Sequence, residues 1–144
     1  MRLLRAVMNS LKLAPRISVI SPAHAQLSEK QVTAWNNVQQ EITECVAYLR
    51  FGVTCAPETA TKEDLKPTEK SIERMTDLAV QIGNEIGMTT DAMLNRLQIA
   101  IQGQMKLTER KCVNFSSLLA IYGQRCKLVG EHPETIFMEY MNKK

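Results

Sequence analysis

The chain has 144 residues, 44% of them hydrophobic, 23% charged and only 5% aromatic. That size suits one domain with an aliphatic core, and the scarcity of aromatics speaks against a sheet sandwich. Of the 18 basic side chains, four (Arg2, Arg5, Lys12, Arg16) crowd the acid-free first 25 residues, so the remainder carries 14 against 15 acidic ones, which excludes a broad basic surface for nucleic acid.

Residues 1–25 read as a cleavable export signal, with a basic start and Ala23-His24-Ala25 as a small-x-small cleavage site behind Pro22. Lys12, Pro15 and Arg16 interrupt the apolar run. A mitochondrial transit peptide, Arg-rich and acid-free, and an ordinary structured N-terminus are therefore the alternatives. No stretch reaches the ~18 apolar residues of a membrane span. The expected division is a signal-like segment over 1–25, cleaved after Ala25, and one helical domain over 26–144 in the periplasm or outside the cell.

Immediately beyond, Ser28 with Gln31 three positions later forms a capping box, and Leu27 stands where a hydrophobic staple belongs. Val32, Trp35, Val38, Ile42, Cys45 and Leu49 then recur at helical spacing. Glu41 and Glu44 fall on the polar side and are expected to face solvent. Ala56-Pro57 ends this first helix, and the polar stretch PETATKEDLKP reads as a linker. The second helix opens at Pro67-Thr68, carries Ile72, Met75, Ala79, Ile82 and Ile86 on one face, and stops at Gly87. A third opens at Thr89 or Thr90 and runs to about Val129, its second half marked by Cys112, Phe115, Leu119, Tyr122, Cys126 and Val129. That is long for a globular helix, and a break near 103–108 is the alternative. Gly130 and Pro133 turn the chain into a short amphipathic tail, Ile136 to Met141. The fold class expected is all-α: an up-down-up bundle of three main helices with a C-terminal helical tail.

Four cysteines, Cys45, Cys55, Cys112 and Cys126, follow the leader. In an exported chain an even number implies two disulfides, while free thiols or a metal site suit a reducing compartment. CxxC knuckles are absent, and His132 is the one histidine past residue 25, so no metal ligands are assigned. On a continuous third helix Cys112 and Cys126 stand about 21 Å apart, beyond disulfide reach. The bridges must therefore join helices one and three. A parallel first and third helix favours Cys45–Cys112 with Cys55–Cys126. If the third helix breaks and returns, Cys45–Cys126 with Cys55–Cys112 is the better pairing.

No nucleophile elbow, phosphate loop, dinucleotide fingerprint, zinc-protease or EF-hand pattern occurs. Catalytic and cofactor-binding residues are accordingly not assigned, and no enzymatic activity is expected. Met88, Met93, Met105, Met138 and Met141 could offer soft thioether ligands, but read as core filler. Asn114-Phe115-Ser116 is formally a glycosylation sequon set on a core stripe. Trp35 and Tyr48 are the aromatics to inspect for a groove, with burial as the alternative.

Cys112-x-Asn114, Tyr122, Cys126-Lys127-Leu128 and Pro133, with Cys45-Val46-Ala47-Tyr48 upstream, resemble small exported helical proteins of proteobacteria. That resemblance implies a fold and a compartment but no activity. Leu27-Ser28-x-x-Gln31 is similar to the LTxxQ box of Spy/CpxP periplasmic chaperones, and a capping box explains it equally well. The function expected is non-catalytic binding of another protein: an interaction, chaperone-like or inhibitor/immunity module. The alternatives are a thiol or metal protein of a reducing compartment and a mitochondrial factor.

Overall fold

A computed structural model of the chain describes residues 26–144, so the leader assigned to 1–25 lies outside the described residues. The described residues form five α-helices and no strand: α1 Glu29–Thr54, α2 Lys62–Glu85, α3 Thr90–Leu107, α4 Phe115–Glu131 and α5 Pro133–Asn142, with a 3₁₀ turn at Cys112–Asn114 before α4.

Helix α1 starts as the sequence predicts. Ser28 Oγ accepts from the Gln31 amide, and the Gln31 side chain accepts in return from the Ser28 amide. Leu27 packs against the core from just outside. All four other helices pack on α1, so its buried surface is wider than one stripe. Ala34, Gln39, Thr43, Val46, Ala47 and Tyr48 join the expected Trp35, Val38, Ile42 and Cys45. A helix covered on several sides cannot keep the single apolar face of a surface helix.

The start of α2 corrects the reading of its linker. The helix opens at Lys62, not Pro67, because Thr61 and Asp64 form a second capping box. Pro67 thus sits inside the helix, where it withholds one backbone donor. Met75, Ala79 and Ile82 are buried as expected. The end of α2 is a Schellman motif: Gly87 at φ 77° lets the Met88 amide reach the Gly83 carbonyl and its own amide reach Asn84.

The expectation of a third helix running to Val129 is overturned, and with it the count of three main helices. The chain closes α3 with a second Schellman pattern, Arg110 N–H to the Met105 carbonyl and Glu109 N–H to Lys106. Here two non-glycine residues, Glu109 and Arg110, take positive φ angles of 51° and 59°. Gly103 lies within α3 and is not the break. Asn114 Nδ2 donates to the Thr108 carbonyl across the joint, and the buried Thr108 hydroxyl donates back to Gln104. The chain then reverses. Asn36 and Gln39 of α1 meet Arg96, and Glu44 meets Gln104, in ascending order along α3. Along the 3₁₀ turn and α4 the order is reversed, Cys55 meeting Cys112 and Cys45 meeting Cys126.

That reversal corrects the favoured cysteine pairing. The bridges are Cys45–Cys126 and Cys55–Cys112, with Cα atoms 5.3 and 5.2 Å apart, and not Cys45–Cys112 with Cys55–Cys126. The stripe of α4 shifts too: Leu118 is fully buried while Leu119 is exposed. Spacings through 118 and through 119 both satisfy helical periodicity. Helix α5 closes the core, with Phe137 stacked on Trp35 at a centroid distance of 4.3 Å.

Candidate functional site

Helix α3 is the anomaly of the bundle. Its sequence is apolar on several sides, yet the one residue it buries fully is polar, Gln104. Leu94, Ile99 and Leu107 stand exposed on it. It rests on α1 and scarcely touches α4, which leaves an open trough of about 1050 Å³ between them. Gln40 and Glu44 of α1 lie on its floor, Ile99, Gly103, Gln104 and Leu107 of α3 form one wall, and Tyr122 of α4 forms the other. A cleft of about 400 Å³ continues past Tyr122 and Ile121 to Arg125 and Tyr140.

Two polar clusters frame this region. In the first, Arg96 donates to Gln39 Oε1 at 2.6 Å and to Asn36 Oδ1 at 3.0 Å, while Gln39 Nε2 donates to the Ala79 carbonyl. One buried amide thereby ties α1, α2 and α3. Burial draws the Arg96 guanidinium below its ordinary value, and the nearby charge of Glu44 opposes this. In the second, Arg125 grips Glu41 at 2.7 and 3.0 Å and Glu139 at 2.9 Å, and the Tyr140 hydroxyl donates to Glu41. Burial alone would raise the Glu41 carboxyl, but the bonds from Arg125 and Tyr140 outweigh it and hold the group below its ordinary value. Tyr140 is pushed up to about 12, first by burial and then by Glu41.

Glu41 therefore departs from the expectation that it faces solvent. It is the hub of a bond network among α1, α4 and α5. Glu44 keeps a partly open position, and its carboxylate accepts from Gln40 Nε2 at 3.1 Å. Tyr122 is raised by burial and by the Glu44 charge, with the Gln104 amide acting in the opposite sense.

The residues singled out by sequence fall as follows. Trp35 is core. Tyr48 is buried too, its ring stacked between Phe115 and Tyr122 at 5.6 and 5.9 Å, so neither aromatic opens a groove. Cys45 and Cys126 lie in the core, whereas Cys112 is exposed. The methionines do not gather: Met93 lies against Gly83, Met105 beside α2, Met88 beside Arg96, and Met138 is exposed. Asn114 spends its amide on the joint between α3 and α4. Among the described residues no group of His, Cys, Asp or Glu is arranged to hold a metal ion, and no helix is long and apolar enough to cross a membrane.

Sequence reading missed Arg96, Gln104, Tyr122 as a wall, and the Arg125–Tyr140 pair. One signal was present. Leu97, Ala100, Gln104 and Thr108 follow inward spacing along α3, and a Gln on such a stripe marks a buried polar contact. No family model matches this chain, and neither the curated proteins nor the solved structures supply a match to it.

Proposed function

We propose that this chain is an exported, non-catalytic protein-interaction module that binds its partner in the trough between α3 and α4. The observation that carries the reading is α3 itself. Ile99 and Leu107 are 60% and 53% exposed along one wall of the trough, with Asn95, Lys106 and Glu109 beside them, and exposed apolar side chains bordered by polar ones mark an interaction surface. Both cysteine pairs are bridged, which favours an oxidising compartment over the thiol or metal alternative. The reading takes α1 to α3 as an up-down-up path, supported by Gln39 meeting Ala79 and Gln104 meeting Glu44. A chaperone-like or inhibitor role would use the same trough.

Two measurements test it. The full-length gene is expressed in bacteria and the product weighed by compartment after alkylation under denaturing, non-reducing conditions. A periplasmic species starting at Gln26, unalkylated and about 4 Da lighter than its reduced form, two hydrogens per bridge, is expected. A cytoplasmic species with four alkylated cysteines overturns the compartment. A photo-crosslinking residue is then placed at Ile99 and, as a control, at the exposed Val80 of α2. An adduct at 99 and none at 80 is expected; equal labelling, or none at 99, overturns the trough as the site.

A further inference from the structure

Two residues of the trough lining, Glu44 on the floor and Gln104 on the wall, have acceptor atoms short of donors. Glu44 takes one bond from Gln40, and among the described residues no Lys, Arg or His lies within ion-pair distance of it. Glu41, one turn earlier, shows the contrast, since Arg125 occupies it on two oxygens. Arg96 also lines the trough and its charge is felt at Glu44, but its hydrogen bonds go to Asn36, Gln39 and Met88, and it makes no ion pair with Glu44. Gln104 adds an independent observation. It is 2% exposed and gives its Nε2 to the Glu44 backbone carbonyl at 2.8 Å. Its Oε1 is buried and receives no donor. A buried acceptor without a partner is uncommon in folded proteins and asks for one.

The complement of these acceptors is a group that donates and does not accept, an ammonium, a guanidinium or an indole N–H, and the Glu44 carboxylate favours the two that carry positive charge. The α3 wall has the spacing of a helix seat. Ile99, Gly103 and Leu107 follow one another at intervals of four residues along α3, and nothing lies within 4 Å of the point where a Gly103 side chain would begin. Two apolar projections with a gap between them, about 12 Å end to end, match the ridge-and-groove packing of a second helix. The rim charges Lys106 and Glu109 are of opposite sign and cancel. Building on the interaction reading, we infer that the trough takes a basic amphipathic helix of a partner protein, with a lysine or arginine seated at Glu44 and Gln104 and apolar side chains set against Ile99 and Leu107.

The test uses the oxidised protein, isotope-labelled for amide NMR, and two synthetic amphipathic peptides of roughly 14 residues, long enough for helix when docked. They differ only at one central position, Lys in one and Glu in the other. The Lys peptide is expected to shift the amides of Glu44, Gly103, Gln104 and Tyr122, and to bind about tenfold more tightly than its Glu twin. In Glu44→Gln, which removes the charge and keeps the Gln40 contact within reach, the ratio should fall below about threefold. I99E with L107E should bind neither peptide; both side chains are exposed, so the fold is retained, as circular dichroism would verify. Equal binding of the twins at the trough overturns the cation assignment and leaves the interaction module standing. No shift at these amides overturns the helix seat; with an Ile99 crosslink the binding surface survives, and without one both readings fall. Shifts at the same amides that grow with protein concentration alone would assign the trough to a second copy and overturn the proposal.

Discussion

Glu41 shows how much one residue can carry when its partners come from far along the chain. Its side chain is 16% exposed and bound by Arg125 and Tyr140, 84 and 99 residues away. Removing one side of a partly buried, charge-assisted cluster should cost about 2 kcal/mol. Glu41→Gln is therefore expected to lower the urea midpoint at pH 7. The folded carboxyl lies below its reference value of 4.5. Its contribution is thus present above about pH 4.5 and lost as acid titrates the folded group. The gap between parent and variant should narrow by pH 3; a constant gap would mean the carboxylate charge is not what stabilises. At the alkaline end Tyr140 behaves oppositely. Its folded value is raised to about 12 from 10.0, so its share persists below pH 10 and disappears as pH climbs through 12. Neither effect could be read in the sequence, where Glu41 and Glu44 look alike. Periodicity assigns a face, but only the fold decides whether an arginine 84 residues on arrives there.

At the scale of elements, the joint between α3 and α4 is where sequence and structure part. The caps with chemical signatures were legible: Ser28 with Gln31, and Gly87 at a positive φ. The end of α3 has no such signature, because Glu109 and Arg110 occupy left-handed positions that glycine would ordinarily fill. Tertiary contacts enforce the turn instead, through the Thr108–Asn114 bond and the Cys55–Cys112 bridge. This predicts that glycine can be introduced at one place and removed at another, with a gain in stability from each exchange. Arg110→Gly or Glu109→Gly should each stabilise the fold by about 0.5–1 kcal/mol, because relief of left-handed strain exceeds the added freedom of the unfolded chain. Gly103→Ala should stabilise by a similar amount, about 0.5–1 kcal/mol, through helix propensity alone, since the space is open there. Chemical denaturation of the three variants checks this; destabilisation by Arg110→Gly would show that its side chain contributes more than its backbone costs. Thr61 and Asp64 have the residue types of a capping box, but the sequence reading set them in the linker and took Pro67 as the helix start, and a proline tolerated inside a helix has no local signal.

For the whole molecule, α1 is the post on which every other helix leans; one disulfide fastens α4 to it at Cys45, and the other ties its C-cap residue Cys55 to the 3₁₀ turn that precedes α4. That an all-helical fold with interhelical bridges would form was legible from 3.6-residue periodicity and four cysteines. Which cysteines pair was not, because it turned on a reversal at residues 108–114 that no glycine or proline announces. The bridges span sequence separations of 81 and 57, and in the loop-entropy model that difference is worth only about 0.3 kcal/mol. Loop length therefore cannot rank them. Accessibility does: Cys45 and Cys126 are 2% and 5% exposed, whereas Cys112 is at the surface, and exchange requires a thiolate to reach a sulfur. Under native conditions a mild thiol reductant should open Cys55–Cys112 first and leave Cys45–Cys126 until the core unfolds, as timed alkylation with peptide mapping would report. The singly reduced protein should keep its helical circular dichroism and lose about 2–4 kcal/mol of stability. Its trough should suffer more than its core, because the opened bridge anchors the α3–α4 joint beside Leu107. Peptide binding would then fall while Trp35 fluorescence, reporting the stack on Phe137, stays native. Loss of both signals together, or reduction of Cys45–Cys126 first, would mean the joint and the core open as one unit and that the trough has no mobility of its own.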